Sequence, residues 1–366
     1  MRFTSIFLLF VLATARATPV TYHLSLGSPN EVLLFDAPAF QDPDNISNSL
    51  VSLQSFVYFK QPDLTALTST LTPWLTLLKV SGIDTALERL KLFAAVGVPG
   101  VSLSVDVAGC NEKATLSATS GLPDLGLAAT NASVGHCNGG STFTGTLSHA
   151  GDTVTTTIFP SGTDGFGVIS DIDDTVKVTH VLDRLESIKT TLFDTPEPVS
   201  GMPDLYASLA QSLNDPAFIY ITGSPYQLFP FLRDFLNTSF LKSRGPIFSQ
   251  NVTLEDVTQV IDVLFNPNDI LNFKLSQIDR VHGIYPGKTF LTVGDSTQSD
   301  PEVYAEAYRK YGDFIRCIWI RQVDGANNTD ARFVTAFQGV PESKYRIYTD
   351  GDIAGLANID VAGGTC

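Results

Sequence analysis

The pattern of apolar and polar positions changes character part-way along the chain. From about Thr18 to Ser161, short stretches either alternate apolar with polar residues or run through β-branched ones. They are "LVSLQSFVYF", "VSLSVDV", "KATLSAT", "FTGTLSH" and "TVTTTIF", divided by turn residues. Period two predicts antiparallel strands with one buried face. A single helical segment, "GIDTALERLKLFAAVG", interrupts them, with Ile83, Ala86, Leu87 and Leu90 at helical spacing. The expectation for residues 18–161 is a β-sandwich-like domain.

"PSGTDGFG" is a turn-rich boundary. Beyond it, "FGVIS", "AFIYIT", "TFLTVG" and "FIRCIWI" are nearly continuous apolar runs. Helical segments lie between them: "GMPDLYASLAQSL" with Pro203 in its first turn, "YQLFPFLRDFL", "NVTLEDVTQVIDVLF" opened by Thr253 with Asp256 three on, and "SDPEVYAEAYRKY" with Asp300 as cap and Pro301 at N1. Buried strands alternating with helices predict an α/β domain over residues 162–366, with a Rossmann-like parallel central sheet covered on both faces.

The first seventeen residues, MRFTSIFLLFVLATARA, have the three parts of a signal peptide: Arg2, the apolar run Ile6 to Ala13, and Ala15-Arg16-Ala17 as cleavage site. This predicts a secreted, extracellular protein beginning near Thr18. No stretch reaches the ~18 apolar residues of a membrane helix, so no transmembrane segment is expected. In an oxidising compartment the four cysteines form an even set, and two disulfides are expected. Three pairings are possible; sequence neighbourhood favours Cys110–Cys137 and Cys317–Cys366. Five N-x-S/T sequons, at Asn45, Asn131, Asn237, Asn251 and Asn327, suit a glycoprotein.

Charge narrows the partners. The formal net charge is −15, and loss of the leader's two arginines makes it −17. That balance argues against nucleic acid, which needs a basic footprint, and against electrostatic docking on anionic membranes.

In an open α/β sheet, ligands sit beyond the carboxyl ends of the strands. "GVIS" is followed by Asp171, Asp173, Asp174 and Thr175; "FIYI" by Thr222, Gly223 and Ser224; "FLTV" by Gly294, Asp295, Ser296 and then Asp300. Crowded carboxylates repel and raise one another's pKa unless something positive sits among them. Acids and hydroxyls at two strand ends describe a hard-cation site with oxygen ligands. Mg²⁺ suits it better than calcium, because it binds through few carboxylates plus substrate phosphate oxygens. Beside such an ion, one carboxylate can attack phosphorus and another can shuttle the proton. The chemistry indicated is hydrolysis of a phosphate ester.

"VISDIDDT", "FIYIT", a downstream lysine and "TVGDSTQSD" resemble the four motifs of the haloacid dehalogenase superfamily of aspartate-nucleophile phosphohydrolases. More narrowly, "SDIDDTVK", "GMPDLYASLA", "YITGSPYQLFPFLRDFL", "NFKLSQIDRVHGIYPGKTFLTVGDSTQSDPEVYAEAY" and "IRCIWIRQV" resemble the catalytic domain of the fungal actin-patch phosphatidate phosphatase family, over about residues 166–355. The resemblance implies Asp171 as nucleophile and metal ligand. It implies Asp173 as general acid and base with its backbone carbonyl on the metal, and Thr175 as support for the loop. Thr222 would hydrogen-bond the transferring phosphoryl oxygens, and Lys274 would neutralise their charge. Asp295 and Asp300 would complete the Mg²⁺ site. Ser224 is the alternative to Thr222, and Lys288 to Lys274, though Lys288 precedes its strand. The implied substrate is phosphatidate, a phospholipid, giving diacylglycerol and phosphate. "RGPIFSQN" lacks an Arg that the family usually carries there, and the first half matches only vaguely.

Rival readings are weaker. "GDST" could belong to a serine esterase with Ser296 as nucleophile, but such a triad places its His after the Ser, and the last of five histidines is His282. No histidine pair or cysteine spacing has a zinc-site form. Two further functions stay open: a secreted phosphatase scavenging phosphate from soluble esters, and a non-enzymatic protein whose β-domain binds a lipid or another partner.

Overall fold

A computed structural model describes residues 30–61, 63–252, 254, 256–265 and 269–366. The signal-peptide expectation and the Thr253 cap lie outside these residues.

The first half is built on one hydrogen-bonded network of nine strands: β1 (Glu31–Leu34), β2 (Ala37–Gln41), β3 (Ser49–Phe59), β4 (Val96–Gly97), β5 (Ser104–Val107), β6 (Ala114–Thr115), β7 (Leu127–Ser133), β8 (Phe143–His149) and β9 (Asp152–Pro160). The long β3 carries β1 and β2 on one edge and β7 on the other. Most pairs are antiparallel, as the period-two pattern requires, but β2 and β9 pair in parallel. The far ends of the network meet where the Ser117 N–H, just past β6, donates to Thr130 Oγ1 on β7 at 3.0 Å. The sheet thus curls around its own core, which includes Val51, Leu53, Val105, Leu116 and Ile158. Cys110–Cys137 ties the β5–β6 turn to the segment after β7, and Cys317–Cys366 ties the last residue to a central strand of the second half.

Two helices follow β3 where one was expected: α1 (Thr65–Leu78) and α2 (Ile83–Leu90). The first was illegible because it is rich in threonine and holds Pro73. Its β-branched Thr68, Thr70 and Thr72 return their hydroxyls to carbonyls four residues back, and Leu67 and Leu71 are buried.

The second half is a six-stranded, wholly parallel sheet of β10 (Phe166–Ser170), β11 (Ala217–Pro225), β12 (Ile247–Gln250), β13 (Thr289–Asp295), β14 (Ile315–Arg321) and β15 (Tyr345–Tyr348). Its spatial order is β12-β11-β10-β13-β14-β15. The chain winds outward from β10 to one side, then restarts beside β10 with β13. The strand order therefore reverses between β10 and β13, and a crevice opens at the carboxyl ends there.

Alternate residues of these strands enter opposite cores, as burial on both faces demands. On one face Val168, Leu291, Val293 and Trp319 meet α3 (Arg184–Leu192), α4 (Met202–Ser212) and α5 (Phe229–Ser239). On the other, Ile169, Phe290 and Ile318 meet α7 (Ile270–Ile284), α8 (Asp300–Tyr311) and α9 (Asp330–Ala336). Two short helices, α6 (Val260–Phe265) and α10 (Ile353–Leu356), complete the set.

The first core does not stop at the boundary between the halves. Phe35 packs on Phe229 with ring centroids 4.8 Å apart, and Phe56 on Tyr226 at 5.1 Å. Arg89 of α2 donates to the carbonyls of Thr191 and Asp194 at 2.8 and 2.7 Å, tying α2 to the end of α3. Among the described residues no helix is long and apolar enough to cross a membrane.

Candidate active site

β10 ends at Ser170, and the Asp171 N–H still donates to Val293 O of β13 at 2.9 Å. The chain then turns tightly, with the N–H groups of Thr175, Val176 and Lys177 all directed to Ile172 O. The turn needs a residue in the left-handed region, and Asp174 occupies it with φ 58°. Its carboxylate accepts the N–H groups of Thr179, His180 and Val181 at 2.8, 2.7 and 2.7 Å. Arg321, at the end of β14, donates to Asp174 O at 2.6 Å and pairs with Asp350. Asp174 thus holds the loop in shape.

The turn aims Asp171 and Asp173 at different partners. Asp171 joins Asp295 and Asp300, and one oxygen from each of the three lies within 4.8 Å of the others. All three are at most 2% exposed. Lys274, on the first turns of α7 and equally buried, donates to Asp171 Oδ1 at 2.7 Å and to Asp300 Oδ1 at 2.5 Å. Asp295 Oδ2 accepts the Thr175 hydroxyl at 2.9 Å, and its Oδ1 accepts the Thr297 N–H at 2.6 Å.

Asp300 is the first residue inside α8 rather than its cap, which is Ser299. Its carboxylate turns inward instead, and Oδ2 accepts the Asp295 N–H at 3.1 Å. Gly294 makes this possible, since a Cβ there would stand 2.4 Å from Asp300 Oδ2. The sequence "SDP" reads as a cap, but here the aspartate bonds to the site and Pro301 falls at the second helical position.

Asp173 stands apart from the three-carboxylate cluster. Its Oδ1 accepts Thr179 Oγ1 at 2.8 Å and Lys177 Nζ at 3.3 Å; its Oδ2 accepts Thr222 Oγ1 at 3.0 Å and Ser224 Oγ at 2.9 Å. Both hydroxyls weighed for the strand end of β11 therefore converge on Asp173. Lys177, 1% exposed, and Thr179 are site residues that the sequence reading left without a role. The only signal for Lys177 was a lysine four residues after Asp173, inside a quoted motif.

Burial pushes the Asp171 carboxyl well up from its ordinary value; Lys274 pulls it back, and the neighbouring aspartates push it further up. Burial, reinforced by Asp300, raises Asp295 to about 7. Burial alone would lower Lys274, but Asp171 and Asp300 outweigh it and hold the ammonium up. Burial opposes ionisation of Asp173 too, yet Lys177 and three hydroxyls keep its carboxyl below the usual range.

These charges test the fit of a metal. The cluster holds three carboxylates and one ammonium, and the second buried ammonium is committed to Asp173. Fully ionised, the cluster is left with uncompensated negative charge out of water, a costly state that a bound dication relieves. All its donors are hard oxygens, which suit Mg²⁺, Mn²⁺ or Ca²⁺ rather than a soft metal. The residues present fit a divalent cation.

Lys288, the alternative cation, lies at the other end of the sheet, where it donates to Asp164 O. Ser296 is fully buried and its Oγ accepts the Val323 N–H at 3.0 Å, while His282 stacks on Tyr311. Neither forms part of an esterase triad. Beside Asp173 a cavity of about 50 Å³ opens, lined by Thr179, Val181, Ser187, Thr191, Ser224 and Leu264 among others. Helix α3, absent from the sequence reading, forms one of its walls.

Residues 166–322 match the family model for the phosphatidate phosphatase APP1 catalytic domain. The resemblance to the actin-patch phosphatidate phosphatase catalytic domain is borne out over that stretch. The chain is 30% identical over 160 residues to phosphatidate phosphatase APP1 of Saccharomyces cerevisiae, covering 43% of this chain and 26% of that protein. It is 28% identical over 162 residues to an uncharacterized protein of Schizosaccharomyces pombe, covering 43% and 25%. The chain thus matches about a quarter of the length of these curated relatives. Asp171, Asp173, Thr222, Lys274, Asp295 and Asp300 all fall inside the matched residues.

Proposed function

We propose that the protein is a Mg²⁺-dependent phosphatase of haloacid dehalogenase type that hydrolyses a phosphomonoester, with phosphatidate as its substrate. The observation that carries this reading is the meeting of Asp171, Asp295 and Asp300 around one point at the strand-order reversal. The match to a phosphatidate phosphatase catalytic domain supports the lipid substrate.

Asp171, Asp295 and Asp300 would hold the cation, which when bound supplies charge neutralisation for the phosphoryl oxygens. Asp171 attacks phosphorus, and the ester P–O bond breaks as the Asp171–phosphorus bond forms. Lys274 stabilises the charge spreading over the transferring group. The leaving oxygen takes a proton from the Asp173 side. Since Asp173 is held ionised, that proton is one a monoanionic ester brings with it, phosphate monoesters having a second pKa of about 6. Asp173 then accepts a proton from water, whose oxygen attacks phosphorus and frees Asp171. Thr222 and Ser224 keep Asp173 in place by bonding its Oδ2.

Two disulfides support a protein that works in an oxidising compartment, in keeping with the secreted reading. The net charge of −15 favours a second reading, a scavenger of soluble esters, because it disfavours anionic bilayers. A panel comparing dispersed phosphatidate with sugar phosphates and p-nitrophenyl phosphate, with Mg²⁺ and with EDTA, tests both. Faster turnover of phosphatidate is the expected result. Activity that survives EDTA refutes the Mg²⁺ dependence, and no hydrolysis of any ester refutes the phosphatase assignment.

A further inference from the structure

We propose that Leu182, next in sequence to a residue lining the cavity beside Asp173, and Leu185, on the helix that forms one wall of it, form the surface by which the protein docks on a zwitterionic lipid interface. The inference rests on the phosphatidate reading and adds where, and on what kind of surface, that substrate is met.

The cavity sets the problem. Its volume of about 50 Å³ suits a few waters or the oxygens of one phosphoryl group, and side chains of Asp173, Thr179, Ser187, Thr191 and Ser224 make much of its lining polar. Hydrocarbon chains have no room in it. A lipid phosphomonoester hydrolysed here leaves its chains outside, so the mouth of the cavity must meet the surface in which they are anchored.

The residues adjoining that lining suit the task. Val181 lines the cavity and is fixed by its N–H bond to Asp174 Oδ2 at 2.7 Å. The next residue, Leu182, is 49% exposed, and Leu185, in the first turn of α3, is 43% exposed. The same helix contributes Ser187 and Thr191 to the cavity wall, and Leu264 of α6 closes the other side. Large apolar side chains held in water by a loop whose carboxylate clamp is part of the catalytic turn have a cost that contact with lipid removes.

Charge decides the kind of lipid. Asp183, Arg184, Glu186 and Lys189 lie on the same stretch, and Arg184 is already paired with Asp262 at 2.6 Å, Lys189 with Glu186 at 3.0 Å. Of these residues neither cation is left unpaired to attract an anionic bilayer, and the net charge repels one. Apolar insertion into a zwitterionic surface is what remains.

Flotation with pure phosphatidylcholine vesicles tests docking without catalysis. The full chain is expected to float with them, and a Leu182→Asp, Leu185→Asp double variant to lose at least about ten-fold in bound fraction. Leu241→Asp is the control: that leucine is 66% exposed in the turn leading into β12, at the opposite end of the sheet, and its variant should bind as the parent does. Equal binding by parent and double variant, no binding by the parent, or equal loss in the Leu241 variant overturns the proposal. Hydrolysis is read separately. The double variant should lose phosphatidate turnover in phosphatidylcholine vesicles about ten-fold while keeping that of p-nitrophenyl phosphate. If neither ester is hydrolysed by the parent, the phosphatase reading fails, and flotation still decides the docking surface.

Discussion

Lys274 Nζ lies 2.7 Å from Asp171 Oδ1, although 103 residues separate them, and both side chains are almost wholly buried. The same ammonium reaches Asp300, so one cation holds two members of a three-carboxylate cluster. Its removal leaves buried charge unpaired at the position proposed for phosphoryl transfer. Lys274→Ala should therefore lower kcat by about 10²–10³-fold, the range found for losing one preorganised transition-state donor. Steady-state kinetics on p-nitrophenyl phosphate check this; an effect on KM alone would assign Lys274 to ground-state binding.

Asp171→Asn keeps the shape of the side chain and can still accept from Lys274, but it is no nucleophile. Turnover should fall to background while the far-ultraviolet circular dichroism and the thermal midpoint stay near those of the parent. Substantial residual activity would remove Asp171 from the attacking role.

The response to pH follows from the raised carboxyls. Asp171 is held above the ordinary range and Asp295 at about 7, so between roughly pH 4 and pH 7 the metal-free native state binds more protons than the unfolded chain. These two groups thus make the metal-free protein lose stability as pH rises through that window. A dication binds the deprotonated form, so the gain in Tm from Mg²⁺ should grow from about pH 5 to about pH 8. Thermal melts in EDTA and in excess Mg²⁺ measure it. A gain that is flat or shrinks with rising pH would contradict the assignment, and Asp295→Asn should flatten it.

Asp173 behaves oppositely, being held ionised by Lys177 against the cost of burial. Lys177→Met removes one partner of a buried pair and should destabilise the fold by about 3–5 kcal/mol. Denaturant titration gives the value. A loss below about 1 kcal/mol would mean that the pair contributes little and the hydroxyls suffice.

Cys317–Cys366 closes a loop of 49 residues between a central strand and the last residue of the chain. The chain-entropy account of such a loop gives about 4 kcal/mol. Cys366→Ser should cost an amount of that order in urea, whereas an unchanged midpoint would show that the tail is held by its other contacts, such as Arg346 Nε to Cys366 O at 2.7 Å.

What was legible in the sequence has a common physical cause. The runs ending in Asp171, Thr222 and Asp295 are strands buried on both faces, so a charged or hydroxyl residue after them had to lie at a sheet edge. The carboxylates therefore announced the site. The partners of Asp173 were not legible, because Lys177 and Thr179 reach it only through a turn set by the left-handed Asp174. The caps misled in a related way: Asp300 has the sequence surroundings of a cap, and Gly294 alone lets it face inward. β12 and β15 passed unread because each is only four residues long. The parallel β2–β9 pairing joins segments more than a hundred residues apart, which period-two alternation cannot register.

Rings from both halves interlock at Phe35–Phe229 and Phe56–Tyr226, and this bears on any attempt to separate them. A polypeptide of the second half alone would leave Tyr226, in the turn before α5, and Phe229, the first residue of α5, without these partners, an uncovered aromatic face prone to self-association.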